Sequence, residues 1–181
     1  MGLIWILATV LWGVAEATLF FIVPDVLLTF AAWRRGGRFA LRLAVMAAGA
    51  ASLAGIVMWC WGRSDPAGAE HVMLLIPAIG PDLLIRTKAE MSGLWPLHML
   101  SGAVSGVPYK LYAIAAGGHH IALLPFVLAS FVARLARFAL SVGLAAGGAA
   151  LLDRIGRPQW QRPLLIGFWI LLYATYFALR A

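Results

Sequence analysis

The stretch Glu16–Phe30, EATLFFIVPDVLLTF, sets two carboxylates and a proline inside a run that is almost wholly apolar from Gly2 to Trp33. On an uninterrupted helix, Glu16 and Asp25 would lie about 900° of rotation and roughly 13 Å apart, pointing to opposite faces. A single buried helix would then need a separate partner for each acid. Pro24 removes a backbone donor and disturbs the turn before it. A break there lets the chain reverse and brings both acids to one interior site. The region 3–33 is also too long for one upright crossing of the hydrocarbon, while two arms of a reversal would each be too short to cross. Irregular backbone at that depth is tolerated only where protein or a water-filled cavity covers it, so the reversal predicts a cavity.

The rest of the chain agrees with a membrane setting. Of 181 residues, 63% are hydrophobic and 12% charged, against roughly 45–50% apolar and about 25% charged in an average soluble domain. Those charges are too few to build the skin of a soluble domain. The length argues for one domain. The net charge of +7 gathers in clusters beside apolar runs, Arg34, Arg35, Arg38 and Arg42 in the first and Arg154, Arg157 and Arg162 in the second. Positive-inside placement accounts for both and puts them on the cytoplasmic side, so no nucleic-acid partner is needed. The first region lacks a basic leader and outruns the usual apolar core of a signal peptide, which disfavours cleavage. The single cysteine, Cys60, excludes an intrachain disulfide.

The expected architecture is an all-α polytopic membrane protein. Region 3–33 forms a first re-entrant hairpin and 39–62 a transmembrane helix. Segment 72–85, short and holding Pro77, Gly80 and Pro81, is interfacial or partly inserted. Region 97–118 is a second re-entrant region broken at Pro108, 121–152 a long transmembrane helix, and 164–180 a C-terminal one. The small-residue runs AAGAASLAG and SVGLAAGGAALL predict close helix contacts, because lipid gives greasy helices little reason to associate.

Three bases share the predicted interior with the two acids: Lys110, Arg134 and Arg137. The arginines are three apart, hence on one helix face. Intramembrane charges are rare and either pair or face a pathway. Pairing Glu16 and Asp25 with two of the bases leaves one positive charge over, and an unpaired buried charge is expensive. A phosphate would satisfy it, since arginine forks fit phosphate oxygens. The acids could also couple transport to protons, because apolar surroundings raise a carboxyl pKa. The adjacent His119 and His120 diverge on a helix and make poor metal ligands. No triad or metalloprotease motif occurs, and no cofactor is implied.

The stretch Gly106–Leu140, GVPYKLYAIAAGGHHIALLPFVLASFVARLARFAL, resembles the DedA superfamily, also described as SNARE-associated or VTT-domain membrane proteins, and within it the small bacterial YqaA-like branch. The matching features are a proline and lysine entering AAG, then F…AS followed by the two arginines of ARLARF. The opening EATLFFIVPD is similar to that family's acid-bearing first re-entrant segment. The resemblance implies two oppositely oriented re-entrant hairpins interleaved with transmembrane helices. It also implies a transporter or flippase of the bacterial inner membrane, moving undecaprenyl phosphate or phospholipid. It assigns interior roles to Glu16, Asp25, Arg134 and Arg137. The sequence departs from the family pattern in having a single Pro24-Asp25 at the first hairpin, and Lys110 where many members carry a glycine and arginine motif. The expected partners are lipids with an anionic phosphate headgroup, protons, and conceivably further copies of the chain. Two other classes stand beside this one: a structural or assembly factor in which the ion pairs serve packing, and a membrane-embedded lipid-modifying enzyme, for which no nucleophile has a base at useful spacing.

Overall fold

The computed structural model describes residues 2–77 and 79–178, and among them there is no strand. Nine α-helices follow one another: α1 (Leu3–Thr18), α2 (Asp25–Arg35), α3 (Gly37–Ser64), α4 (Pro66–Met73), α5 (Pro81–Glu90), α6 (Trp95–Ser105), α7 (Tyr109–Gly118), α8 (Leu123–Arg154) and α9 (Gln161–Ala178), with a 3₁₀ turn at Pro158–Trp160. By length and composition α3 and α8 are apolar enough to cross a membrane. They run to roughly 42 and 48 Å at 1.5 Å per residue.

Helix α3 is the centre of the fold, with α1, α2, α7 and α8 packed on it. Its buried face repeats small residues every three or four positions, Ala40, Ala44, Ala47, Ala51 and Ala54 among them, and that stripe lets neighbouring backbones come close. A Cβ added to Gly13 of α1 would sit 3.0 Å from the Ala47 carbonyl oxygen. At the other end of α3 the contact is reciprocal. A Cβ on Gly62 would strike the Ile114 carbonyl, and one on Gly117 of α7 would strike that of Trp59. The close contacts expected of AAGAASLAG are therefore present. Those expected of SVGLAAGGAALL are present in part: Val142 is buried and Ala146 meets Gly37, while Gly143, Gly147 and Gly148 meet nothing within 4 Å. The glycine-bearing face of α8 points outward or into the space beside α9.

Two helix pairs double back. The first helical run ends at Thr18, and the chain turns before α2 starts at Asp25 with Pro24 as its N-cap. The Trp12 indole donates to the Ile22 carbonyl at 2.8 Å, and the Trp5 ring stacks on Phe30 with centroids 6.2 Å apart, so α2 returns along α1. The second pair turns after α6 at Gly106, whose φ of +83° is a left-handed conformation that glycine adopts without strain. Pro108, extended, then caps α7. Gly102 accommodates the Tyr112 ring across this pair.

Segment 72–85 is not one element. Helix α4 ends at Met73, and Pro81 opens α5 at a position where its missing N–H costs nothing. Helix α9 has no buried residue; positions 179 and 180 of the expected last span lie outside the described residues. Helices α3 and α8 are antiparallel. Gly37 lies against Ala146, and the Trp59 indole donates to the Ile121 carbonyl at 3.0 Å. Both arginine clusters therefore fall at the same end of the molecule.

Candidate functional site: a cavity where the two turns meet

A helix that stops inside a fold leaves backbone groups that need partners. The turn after α1 finds them from three other elements. Its Phe20 carbonyl accepts from the Lys110 ammonium at 2.6 Å, its Ile22 carbonyl from Trp12, and its Val23 N–H donates to the Tyr173 hydroxyl of α9 at 2.9 Å. Lys110 is only 2% exposed and forms no ion pair among the described residues. Its charge is held by a carbonyl at the C-terminal end of α1, where the helix dipole is negative. The two turns thus touch through one lysine.

The acids on either side of the first turn take different bases. Both carboxylate oxygens of Glu16 are bonded by the Arg134 guanidinium, one at 3.2 Å, and both side chains are buried. The Arg134 guanidinium also lies 4.8 Å from the Tyr109 ring centre and 5.0 Å from that of Phe138, faces that attract a cation. Asp25 is the first residue of α2, where free N–H groups favour an anion. It accepts from the Ser141 hydroxyl at 2.6 Å and pairs with Arg137 at 3.3 Å. Arg137 is the more open base, with 20% of its side chain exposed.

A cavity of about 910 Å³ opens between the two turns, α8 and α9. Glu16, Asp25, Lys110, Arg137, Ser141 and Tyr173 border it together at its polar part, and apolar side chains of α8 and α9 continue it to Leu152 and Gln161. From Arg137 to Leu152 that wall extends roughly 22 Å. The volume is within the usual range of ligand sites.

The chain is 43% identical over 54 residues to an uncharacterized protein of Histophilus somni, and 36% identical over 78 residues to an uncharacterized protein of Haemophilus influenzae. It covers less than half of either relative. The alignments take in 30% and 42% of this chain, and 27% and 39% of the respective relatives. No family model and no solved structure matches.

Of the residues singled out in the sequence, Glu16, Asp25, Lys110 and Arg137 border one cavity, while Arg134 stands behind it, closed off by its pair with Glu16. Pro24 and Pro108 both cap the helix that leaves a turn. Sequence reasoning placed none of Ser141, Tyr109, Tyr173 or the Phe20 carbonyl in the predicted site. Ser141 had a signal: it follows Arg137 by four residues, one helical turn further along the same face. Chemically, the polar part offers an ammonium with no carboxylate and a half-open guanidinium beside two acids. That arrangement can hold one anion with apolar substituents trailing along α8.

Proposed function

We propose that the chain is a polytopic protein of the bacterial inner membrane that moves a phosphate-bearing lipid between leaflets. Lys110 and Arg137 hold the headgroup, and the acyl or prenyl chains lie along α8 and α9. The observation that carries this reading is the cavity that joins a cationic centre, which no carboxylate among the described residues pairs with, to a long apolar wall. A phosphate on Lys110 would supply the missing negative charge.

Several features support the membrane setting. The two long apolar helices are antiparallel, and seven arginines gather with a single aspartate, Asp153, at one end of the pair, the pattern of a cytoplasmic face. The α1–α2 pair opens toward that end and α6–α7 toward the other, as two re-entrant hairpins of opposite orientation would. The resemblance to the DedA superfamily points the same way. Protons are the natural coupling ion, because an arriving anion compensates the interior bases and lets Glu16 or Asp25 accept a proton.

Liposomes carrying fluorescent undecaprenyl phosphate or phospholipid test this reading. The wild type should move one of the two lipids. Lys110→Met should slow it about tenfold, the worth of one charge-assisted hydrogen bond, and Lys110→Arg should restore most of the rate. Well-folded protein that moves neither lipid would leave the structural or assembly reading, which the fully buried Glu16–Arg134 pair favours for those two residues.

A further inference from the structure

Helix α9 is attached unlike α3 or α8. None of its described residues is buried, although Leu165, Phe168, Trp169, Leu172 and Tyr173 form one wall of the cavity. Leu165, Trp169 and Tyr173 follow at four-residue steps and share one face. The start of α9 is fixed to the end of α8, where the Gln161 amide donates to the Ala149 carbonyl at 3.0 Å and to Asp153 at 2.7 Å. Beyond that base, ties run to the first hairpin. The Trp169 indole donates to the Thr29 hydroxyl at 2.9 Å, the Tyr173 hydroxyl accepts from the Val23 N–H at 2.9 Å, and the Phe177 ring meets Phe21 edge-on with centroids 5.6 Å apart. A wall held at its base and by a few side-chain contacts opens at low cost.

One of those ties also answers a backbone need. Val23 lies in the turn before α2, outside any helix, so its N–H must find a partner elsewhere. Tyr173 is that partner. The same turn presents the Phe20 carbonyl to Lys110, and two residues after Val23 comes Asp25 with its ion pair to Arg137. Val23, Lys110, Arg137 and Tyr173 all border the cavity. A phosphate oxygen drawn there by the two cations would be a better acceptor for the Val23 N–H than a phenol, because a charged acceptor bonds about twice as strongly as a neutral one. Tyrosine and phosphate therefore compete for one donor.

We propose that α9 is the side door of the lipid cavity, that the Tyr173–Val23 bond is its latch, and that the arriving headgroup releases the latch by taking the Val23 N–H. The backbone of Val23 thereby joins Lys110 and Arg137 as a headgroup donor. Released at Tyr173, α9 swings on its base at Gln161, beyond the turn that begins at Gly156 with φ +70°. The headgroup enters along the cavity, and the chains follow through the opened side. A ligand shifts an equilibrium only by its different affinity for the two states. Here the difference is the Val23 N–H, which phosphate can bond only when Tyr173 has left it. Without a headgroup, opening gives up that bond for nothing stronger, so the empty door stays shut. This inference deepens the transporter reading and rests on it for its cargo, while the latch is measured without transport.

The experiment uses the full chain in maltoside detergent, with nitroxides on the exposed positions Ile170→Cys of α9 and Leu53→Cys of α3 in a Cys60→Ser background. Their separation is read by pulsed electron resonance, with and without fluorescent undecaprenyl phosphate or phospholipid. Tyr173→Phe keeps the ring and removes the acceptor, so it should raise the ratio of wide to narrow separations about tenfold, the worth of one buried hydrogen bond. It should also bind the lipid about tenfold more tightly, because the headgroup no longer displaces a phenol. A merely structural tyrosine would leave that affinity unchanged or lower it, and either result from a folded variant would overturn the exchange at Val23. Separations that neither Tyr173→Phe nor lipid widens would overturn the door. A second arm is independent of the tyrosine: Phe21→Cys and Phe177→Cys, joined by a short cleavable thiol reagent, should stop lipid loading until the reagent is cut. Transport between leaflets at the wild-type rate with that link in place would remove the door and keep the transporter. Loading that needs α9 to open, without transport, would do the reverse, and a wild type that binds neither lipid would remove both.

Discussion

Arg134 and Glu16 are held to each other so completely that neither is tolerable alone. Taking two charges out of water is costly, and their mutual attraction offsets the cost only while both are present. Arg134→Ala should therefore destabilise the protein by about 3–5 kcal/mol, because it strands a buried carboxylate. The double replacement Glu16→Met with Arg134→Met should recover most of that loss, read as thermal or denaturant unfolding in detergent. Glu16, Asp25 and the three interior bases were all legible in the sequence, as was the excess of one positive charge. Which base is left over was not. The pairing depends on how α1, α2, α7 and α8 approach each other, with Glu16 and Arg134 118 positions apart, and no local spacing encodes that. Hence the sequence named Arg134, Arg137 and Lys110 together as headgroup candidates, and only the packing singles out Lys110 as the one without a carboxylate among the described residues.

At the scale of elements, the turn signals were plain and the glycine signals were not. Pro24 and Pro108 each mark a helix break because proline cannot continue the ladder behind it. The glycines of α3 and α8 look alike in sequence but meet different surroundings. Gly62→Ala should cost about 1–3 kcal/mol by overpacking against the Ile114 backbone, while Gly147→Ala, with open space around it, should be neutral or add about 0.5–1 kcal/mol. Unfolding measurements on the two variants separate these cases.

Helix α5, outside the two long apolar helices, is tied to α7 by Tyr112, which donates to Glu90 at 2.5 Å, and Glu90 also pairs with Arg86 at 2.7 Å. Burial pushes the Glu90 carboxyl up, but the hydrogen bonds from Tyr112 and Arg86 and the Arg86 charge outweigh it and hold the pKa below its ordinary 4.5. A depressed folded value means this contribution is fully present above pH 4.5 and fades as the pH falls below it through the folded value. A Glu90→Gln variant should show a shallower loss of stability over that acid range when unfolding is followed against pH.

For the whole molecule, in the membrane setting proposed, the charge distribution sets orientation. With seven arginines at one end of the α3–α8 pair, that end should face the cytoplasm. In a Cys60→Ser background, Ser64→Cys should react with an impermeant maleimide added outside cells, and Arg157→Cys only after the membrane is opened. The reverse labelling would invert the topology. Both clusters were legible as clusters. Their meeting at one end follows from the antiparallel packing of helices whose sequences carry no mark of direction.

Placed in a bilayer as proposed, the meeting of the two turns has an electrical meaning. An intact membrane spreads its voltage over about 30 Å of hydrocarbon. Where two half-length helix pairs meet tip to tip beside a hydrated space, the insulating layer narrows toward the contact between the Lys110 ammonium and the Phe20 carbonyl. Most of the voltage then falls there. A charge shifted a few ångströms across that contact would gain nearly the full work of crossing, roughly 2.3 kcal/mol per 100 mV. The resting potential of the cell would be delivered to a single hydrogen bond.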